Sequence, residues 1–264
     1  MDSLVLQPRD RQILDLLRDQ GFASFEQLCQ RFFPNRKRCS KRLILLVQHN
    51  YITSKALKDY LGGTGMKGFF PYLLGLGING NSKLYFLAPL YRKTVPETNR
   101  LLKPDLCLHQ LMLNSVRFFL EDQMAEARFF LSDPQVQILS DFQLGRRKEF
   151  TPDISVEHKD YIMAVELERT VKSKNRYASR FWYYKDSTYT HVLYFYVNEA
   201  HLNTILKQAG PSRKFGFAHY LRPNQVLSKA WGYLDVNEWI DKVQSIQARP
   251  LPMQPTSSTT ILTS

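Results

Sequence analysis

The first fifty residues set short apolar stripes between polar positions with a helical period. Ile13, Leu14, Leu16 and Leu17 share one face among charged neighbours, which predicts a helix over residues 9–19 that Gly21 closes. Ser24, followed three residues later by Gln27, has the form of a capping box. A second helix therefore runs through Phe25, Leu28 and Phe32 until Pro34 stops it. Asn35 caps a third helix over residues 36–49. Its first half is basic (Arg36, Lys37, Arg38, Lys41, Arg42) and its second half is the apolar run Leu43 to Val47. Residues 51–57 then read as a strand, 61–68 as a Gly-rich segment, and 69–74 and 83–87 as strands separated by turns within 75–82. Three closely connected helices followed by hairpin strands predict a winged helix-turn-helix, with the third helix as its recognition helix.

From Pro104 the pattern changes. Residues 106–124 form a long amphipathic helix, 136–144 alternate as a strand, and Arg146, Arg147 and Lys148 make a basic turn. Pro152–Asp153 opens a strand through Val156, Lys159–Asp160 turns the chain, and Tyr161 to Glu168 returns as the second arm of a hairpin. A basic helix follows, with Lys172, Lys174, Arg176 and Arg180 interleaved with Tyr177, Phe181, Trp182 and Tyr183. Then come an apolar strand over 191–197, a helix over 199–208 and a last short strand over 216–220. The expected class is α+β, a winged helix-turn-helix followed by an α/β core in the order α-β-β-β-α-β. The expected division is 1–103, 104–248 and a Pro/Ser/Thr-rich tail at 249–264 that need not pack.

Charge sharpens that division. The chain has 264 residues, with 36 Lys and Arg against 24 Asp and Glu, a net +12. Residues 1–105 hold 17 basic against 8 acidic side chains, so +9 of the excess lies in the first two fifths. With 44% apolar residues the chain fills ordinary cores, which excludes a wholly disordered basic tail and points to a polyanionic partner. Three cysteines without paired spacing, Cys29, Cys39 and Cys107, make neither a zinc knuckle nor a disulfide framework and fit a reduced, cytoplasmic setting. No signal-peptide apolar region, no stretch of ~20 apolar residues, no P-loop and no Gly-x-Ser-x-Gly elbow is present, so no membrane insertion is expected.

The chemistry concentrates in the hairpin. Strand alternation places Ile162, Ala164, Glu166 and Glu168 on one face and Met163, Val165 and Leu167 on the other. Asp153, at the start of the partner strand, can lie beside the two glutamates. Three converging carboxylates repel one another, and a hard divalent cation, Mg²⁺ or Mn²⁺, removes that repulsion. Glu121 and Glu126 could complete the metal shell but read as surface charges. Tyr177, Tyr183 and Tyr184 read as packing or base-stacking residues, and His109 as a helix residue with a local hydrogen bond. Arg36, Lys37, Arg38, Lys41 and Arg42, with Arg176 and Arg180 on the later helix, are the candidate DNA-binding residues.

Pro152–Asp153, about a dozen residues and then Glu166-x-Glu168, in the order α-β-β-β-α-β, resemble the PD-(D/E)xK nuclease fold. The resemblance implies that Asp153 and Glu166 bind metal. The family's usual lysine position holds Glu168, and Lys172 and Lys174 are the nearest substitutes. Preceded by a winged helix, the core is similar to the replication-relaxation family and, within it, to MobC-type plasmid mobilisation relaxases, over about residues 9–220. That resemblance implies a nickase that binds double-stranded DNA at a plasmid transfer origin, with a coupling or accessory mobilisation protein as partner. Two alternatives stay open: a catalytically degenerate DNA-binding regulator of plasmid replication, and a restriction-type endonuclease.

Overall fold

The computed structural model describes residues 4–61, 77–78, 81–88, 104–124, 126–131 and 151–247. The chain is mixed α and β. In its N-terminal part, α1 (Pro8–Gln20), β1 (Phe22–Ser24), α2 (Phe25–Phe32), α3 (Arg36–Gln48), β2 (Ile52–Ala56), the short α4 (Leu57–Leu61) and β3 (Lys83–Leu87) follow in order. The strands make a three-stranded antiparallel sheet in the order β1-β3-β2. The caps form as the sequence predicts. Ser24 Oγ accepts from Gln27 N (3.2 Å), Gln27 Oε1 accepts from Ser24 N (3.1 Å), and Asn35 Oδ1 accepts from Arg38 N (2.9 Å). Ile13, Leu17, Leu28, Cys39, Leu43, Leu46 and Ile52 bury between the three helices and the sheet.

The second part opens with α5 (Pro104–Gln123), then β4 (Arg128–Leu131), β5 (Ile154–His158), β6 (Tyr161–Glu168), α6 (Lys174–Asp186), β7 (His191–Tyr196), α7 (Glu199–Ala209), β8 (Phe215–His219), β9 (Arg222–Ser228), β10 (Gly232–Asp235) and α8 (Val236–Gln247). Its seven strands lie in sequence order from β10 to β4. β4, β5 and β6 meander antiparallel, β6, β7 and β8 run parallel, and β9 and β10 turn back antiparallel. Each parallel step needs a crossover, and α6 and α7 supply them. The alternation read for residues 161–168 is realised. Met163, Val165 and Leu167 pack with Leu111, Leu120 and Trp239 on the face of α5 and α8. Ala164 packs with Tyr177, Phe181, Tyr184 and Ile205 on the face of α6 and α7.

Several elements differ from the sequence expectation. Residues 216–220 do not hold the last strand, because β9, β10 and α8 follow it. β1 and β4 are additional to the expected strands; each is too short for its alternation to stand out. Leu57 opens α4 instead of closing β2. The strands expected at 69–74 and 136–144, the basic turn at 146–148 and the tail lie outside the described residues. No helix among the described residues is long and apolar enough to cross a membrane.

α5 also serves the N-terminal part. Gln27 Nε2 donates to Leu111 O (2.7 Å) and Ser115 Oγ (2.9 Å), Asn114 Nδ2 donates to Phe22 O (2.8 Å), and Arg31 pairs with Glu121 (3.1 Å) and Asp122. Phe22, Leu57 and Leu84 share a buried cluster with α5 side chains.

Glycine is required at one packing point. A Cβ on Gly216 of β8 would stand 2.7 Å from Val226 and 2.8 Å from the Trp239 ring, closer than side-chain carbons approach. Gly216→Ala should therefore cost about 1–3 kcal/mol as overpacking, read as a lower urea midpoint at unchanged slope.

Candidate functional site: a carboxylate cluster at the end of β6

β6 ends where α6 begins its crossover, and the side chains of interest gather there. The β5–β6 register pairs Ile154 with Val165, so one step back sets Asp153 opposite Glu166. Asp153 Oδ2 accepts from Leu167 N (2.8 Å), and its Oδ1 lies 3.5 Å from His109 Nε2 on α5. Glu166 and Glu168 are 1% and 2% exposed, although a carboxylate is seldom buried without a partner. Each has one. Arg180 donates to Glu166 Oε2 (2.7 Å), and Tyr184 donates its hydroxyl to Glu166 Oε1. Lys172 Nζ lies 2.8 Å from Glu168 Oε2, four residues on.

Burial pushes Glu166 up to about 7 against the pull of Arg180, and the neighbouring Asp153 adds to the rise. Asp153 moves the other way. Burial would raise it, but the His109 contact and the Leu167 amide hold it below the usual carboxylate range. The cluster thus pairs a carboxylate ionised throughout the neutral range with one that changes protonation near neutrality. Burial drives the phenols of Tyr177 (to about 12), Tyr184 and Tyr194 well above their ordinary range. In the fold, the Tyr177 hydroxyl accepts from Lys172 N (3.3 Å) and the Tyr184 hydroxyl donates to Glu166, while all three rings are packed in the core.

The structure sorts the candidates read from the sequence. Asp153, Glu166, Glu168 and Lys172 come together. Lys174 does not: it stands exposed at the start of α6 and forms no ion pair with the carboxylates among the described residues. Arg180, read as a DNA-binding candidate, is largely shielded at 11% side-chain exposure and pairs with Glu166 (2.7 Å). Arg180 shares a helix face with the exposed Arg176, one turn earlier, but only Arg180 meets a buried carboxylate, Glu166 of β6. Arg42, another DNA-binding candidate, is likewise drawn to a carboxylate. It donates through Nε to Asp10 Oδ1 (3.0 Å) and through Nη2 to Val5 O (2.9 Å), and Asp10 is wholly buried. Lys37, Arg38 and Lys41 remain exposed on α3, and Arg36 lies over the Phe25 ring at 4.9 Å and 3.5 Å from Glu26. Glu121 pairs with Arg31 and Arg117 (2.7 Å) and belongs to the α5 contact with the N-terminal part. His109 and Tyr184 are the site residues that sequence reading missed. The only signal for Tyr184 was its i+4 spacing from Arg180 on an aromatic helix face.

Hard carboxylate oxygens suit Mg²⁺ or Mn²⁺, and Mg²⁺ commonly takes one or two carboxylates with water and substrate phosphate completing its shell. Asp153 and Glu166 are carboxylates of that kind, with both Glu166 oxygens accepting from Arg180 and Tyr184 and Asp153 Oδ2 accepting from Leu167 N. Glu168, turned to Lys172, does not join them: among the described residues no group of three His, Cys, Asp or Glu side chains is placed to hold a metal ion. Comparison with known proteins adds no constraint, since no protein-family model and no curated protein matches the chain.

Proposed function

We propose that the chain is a DNA-processing protein of the plasmid mobilisation type. Its N-terminal part is read as a winged helix that holds duplex DNA, and its second part as a PD-(D/E)xK-like core that nicks one strand at a transfer origin. The carrying observation is the convergence of Asp153, Glu166 and Lys172 at the end of β6, within a helix, three antiparallel strands, helix and parallel strand. The element order of the N-terminal part and the exposed Lys37, Arg38 and Lys41 on α3 support the DNA-holding role.

In this reading Asp153 and Glu166 hold the divalent cation. When bound, the ion supplies Lewis-acid polarisation of the scissile phosphate and lowers the pKa of a bound water. Leu167 N and His109 orient Asp153, Arg180 and Tyr184 orient Glu166, and Glu168 holds the Lys172 ammonium at the site to balance charge developing on phosphate oxygens. The experiment is relaxation of a supercoiled plasmid carrying the cognate transfer origin, with Mg²⁺ or Mn²⁺. The native protein should nick it, and Asp153→Ala and Glu166→Ala should not. Equal relaxation by the variants sinks the reading.

A second reading, a catalytically silent DNA-binding regulator, is favoured by Glu166, whose two oxygens are already engaged by Arg180 and Tyr184. It predicts DNA binding with no relaxation by the native protein. Both readings share one consequence. Replacing Lys37, Arg38 and Lys41 by Ala should flatten the dependence of log K on log salt by about 0.9 for each phosphate no longer neutralised, measured by fluorescence anisotropy on duplex DNA.

A further inference from the structure

The exposed face of α3 is basic at one end and apolar at the other. Cys39, Leu43 and Leu46 point into the core, which leaves Lys37, Arg38, Lys41, Ile44, Leu45 and Gln48 on the outer face. Ile44 is 50% exposed and Leu45 38%, on a helix whose other large apolar side chains are buried or half-buried. A shallow hollow beside Ile44 is lined by Gln48, Ser54, Lys83 and Tyr85, so a basic strand residue flanks the apolar pair on the sheet side. Lys55, also exposed, adds charge along β2. An apolar pair set among basic side chains suits a partner with anionic edges and isolated apolar points inside. Duplex DNA has that chemistry: phosphates line the major groove, and the one apolar group on its base edges is the thymine C5-methyl.

We propose that Ile44 and Leu45 are sequence-reading residues of α3 that take thymine methyl groups in the major groove, while Lys37, Arg38, Lys41, Lys55 and Lys83 engage the flanking phosphates. The inference rests on the DNA-holding reading of the N-terminal part. It assigns the base-reading task to the apolar side chains and the positioning task to the basic ones.

The test uses the full chain and a random-sequence 30-base-pair duplex pool, from which bound DNA is selected and sequenced. The selected duplex is then made with thymidine or with deoxyuridine, which differs only by the methyl, and affinity is read by anisotropy. The native protein should bind the thymidine form more tightly, by about fourfold for each methyl contacted. Ile44→Ala/Leu45→Ala should bind both forms equally, at the weaker level, with an unchanged salt slope. Both side chains are on the surface, so a circular-dichroism melt matching the native protein shows that the variant is folded. Equal native affinity for the two forms overturns the assignment while leaving the DNA-holding reading intact. A loss of self-association in the double variant, with methyl discrimination retained, also overturns it and makes this face a protein interface. Failure of the pool to enrich, with no salt-dependent binding, overturns the DNA-holding reading and the assignment with it.

Discussion

Arg180→Met is expected to destabilise the second part by about 3–5 kcal/mol at pH 8, the range found when one member of a buried ion pair is removed. The loss comes less from the missing attraction than from what remains, a Glu166 carboxylate that is 1% exposed and keeps the Tyr184 hydroxyl but no guanidinium. For a chain of this size that corresponds to a melting temperature lower by about 10 °C. The penalty should depend on pH with a definite sign. Glu166 is raised to about 7 in the fold from an ordinary 4.5, so its protonation favours the folded state. Its contribution is fully present below about 4.5 and is lost as pH rises towards 7. In the variant the carboxyl can escape the penalty by taking a proton, so the destabilisation should shrink at pH 5. Glu166→Gln/Arg180→Met should be closer to the native protein than Arg180→Met alone, because the uncompensated charge is gone. Urea unfolding at pH 5 and pH 8 measures all three. A pH-independent deficit equal in the single and double variants would mean that the arginine acts by packing.

Arg42→Ala should have an effect of similar size, about 3–5 kcal/mol, in the N-terminal part. Asp10 is 0% exposed and accepts from Arg42 and from the amide of Gln7 (2.7 Å), which completes the first turn of α1. Removing the guanidinium leaves a buried carboxylate with a backbone donor and no cation. It also frees Val5 O, which Arg42 ties to α3. Arg42→Lys should recover only part of the loss, because an ammonium cannot reproduce the two parallel donors of the fork. The contrast with Arg38→Ala, an exposed neighbour on the same helix, is the control. That change should stay within about 0.5 kcal/mol in unfolding and act on DNA affinity alone. If Arg42→Ala unfolds like the native protein but binds DNA weakly, its place is on the DNA after all.

What was legible in the sequence was local. Ser24 with Gln27, Asn35, Gly21 and Pro34 are chemical instructions acting over three or four residues, and the helices they bound lie where those residues put them. The β5–β6 hairpin was legible for the same reason. A turn at Lys159–Asp160 joins two short β-prone runs, and the alternation of side chains between two buried faces sets Glu166 and Glu168 on the same side as Ala164. Cross-strand geometry then brings Asp153 to Glu166. β1, with three residues, and β4, with four, offer too few positions for a period to emerge, and the pairing of each with a partner distant in sequence creates it.

Charge shows the limit most clearly. Composition and spacing by themselves determine that basic side chains crowd the start of α3 and that carboxylates end β6 beside a lysine- and arginine-rich helix. They do not determine which of those charges face water. Arg38 and Arg42 are four residues apart on α3, as Arg176 and Arg180 are on α6, and in each pair the first is exposed and the second is drawn into an ion pair with a buried carboxylate. The choice belongs to the tertiary structure. A guanidinium goes inward only where another element supplies a desolvated carboxylate for it, and Asp10 comes from α1 and Glu166 from β6, 32 and 14 residues away along the chain.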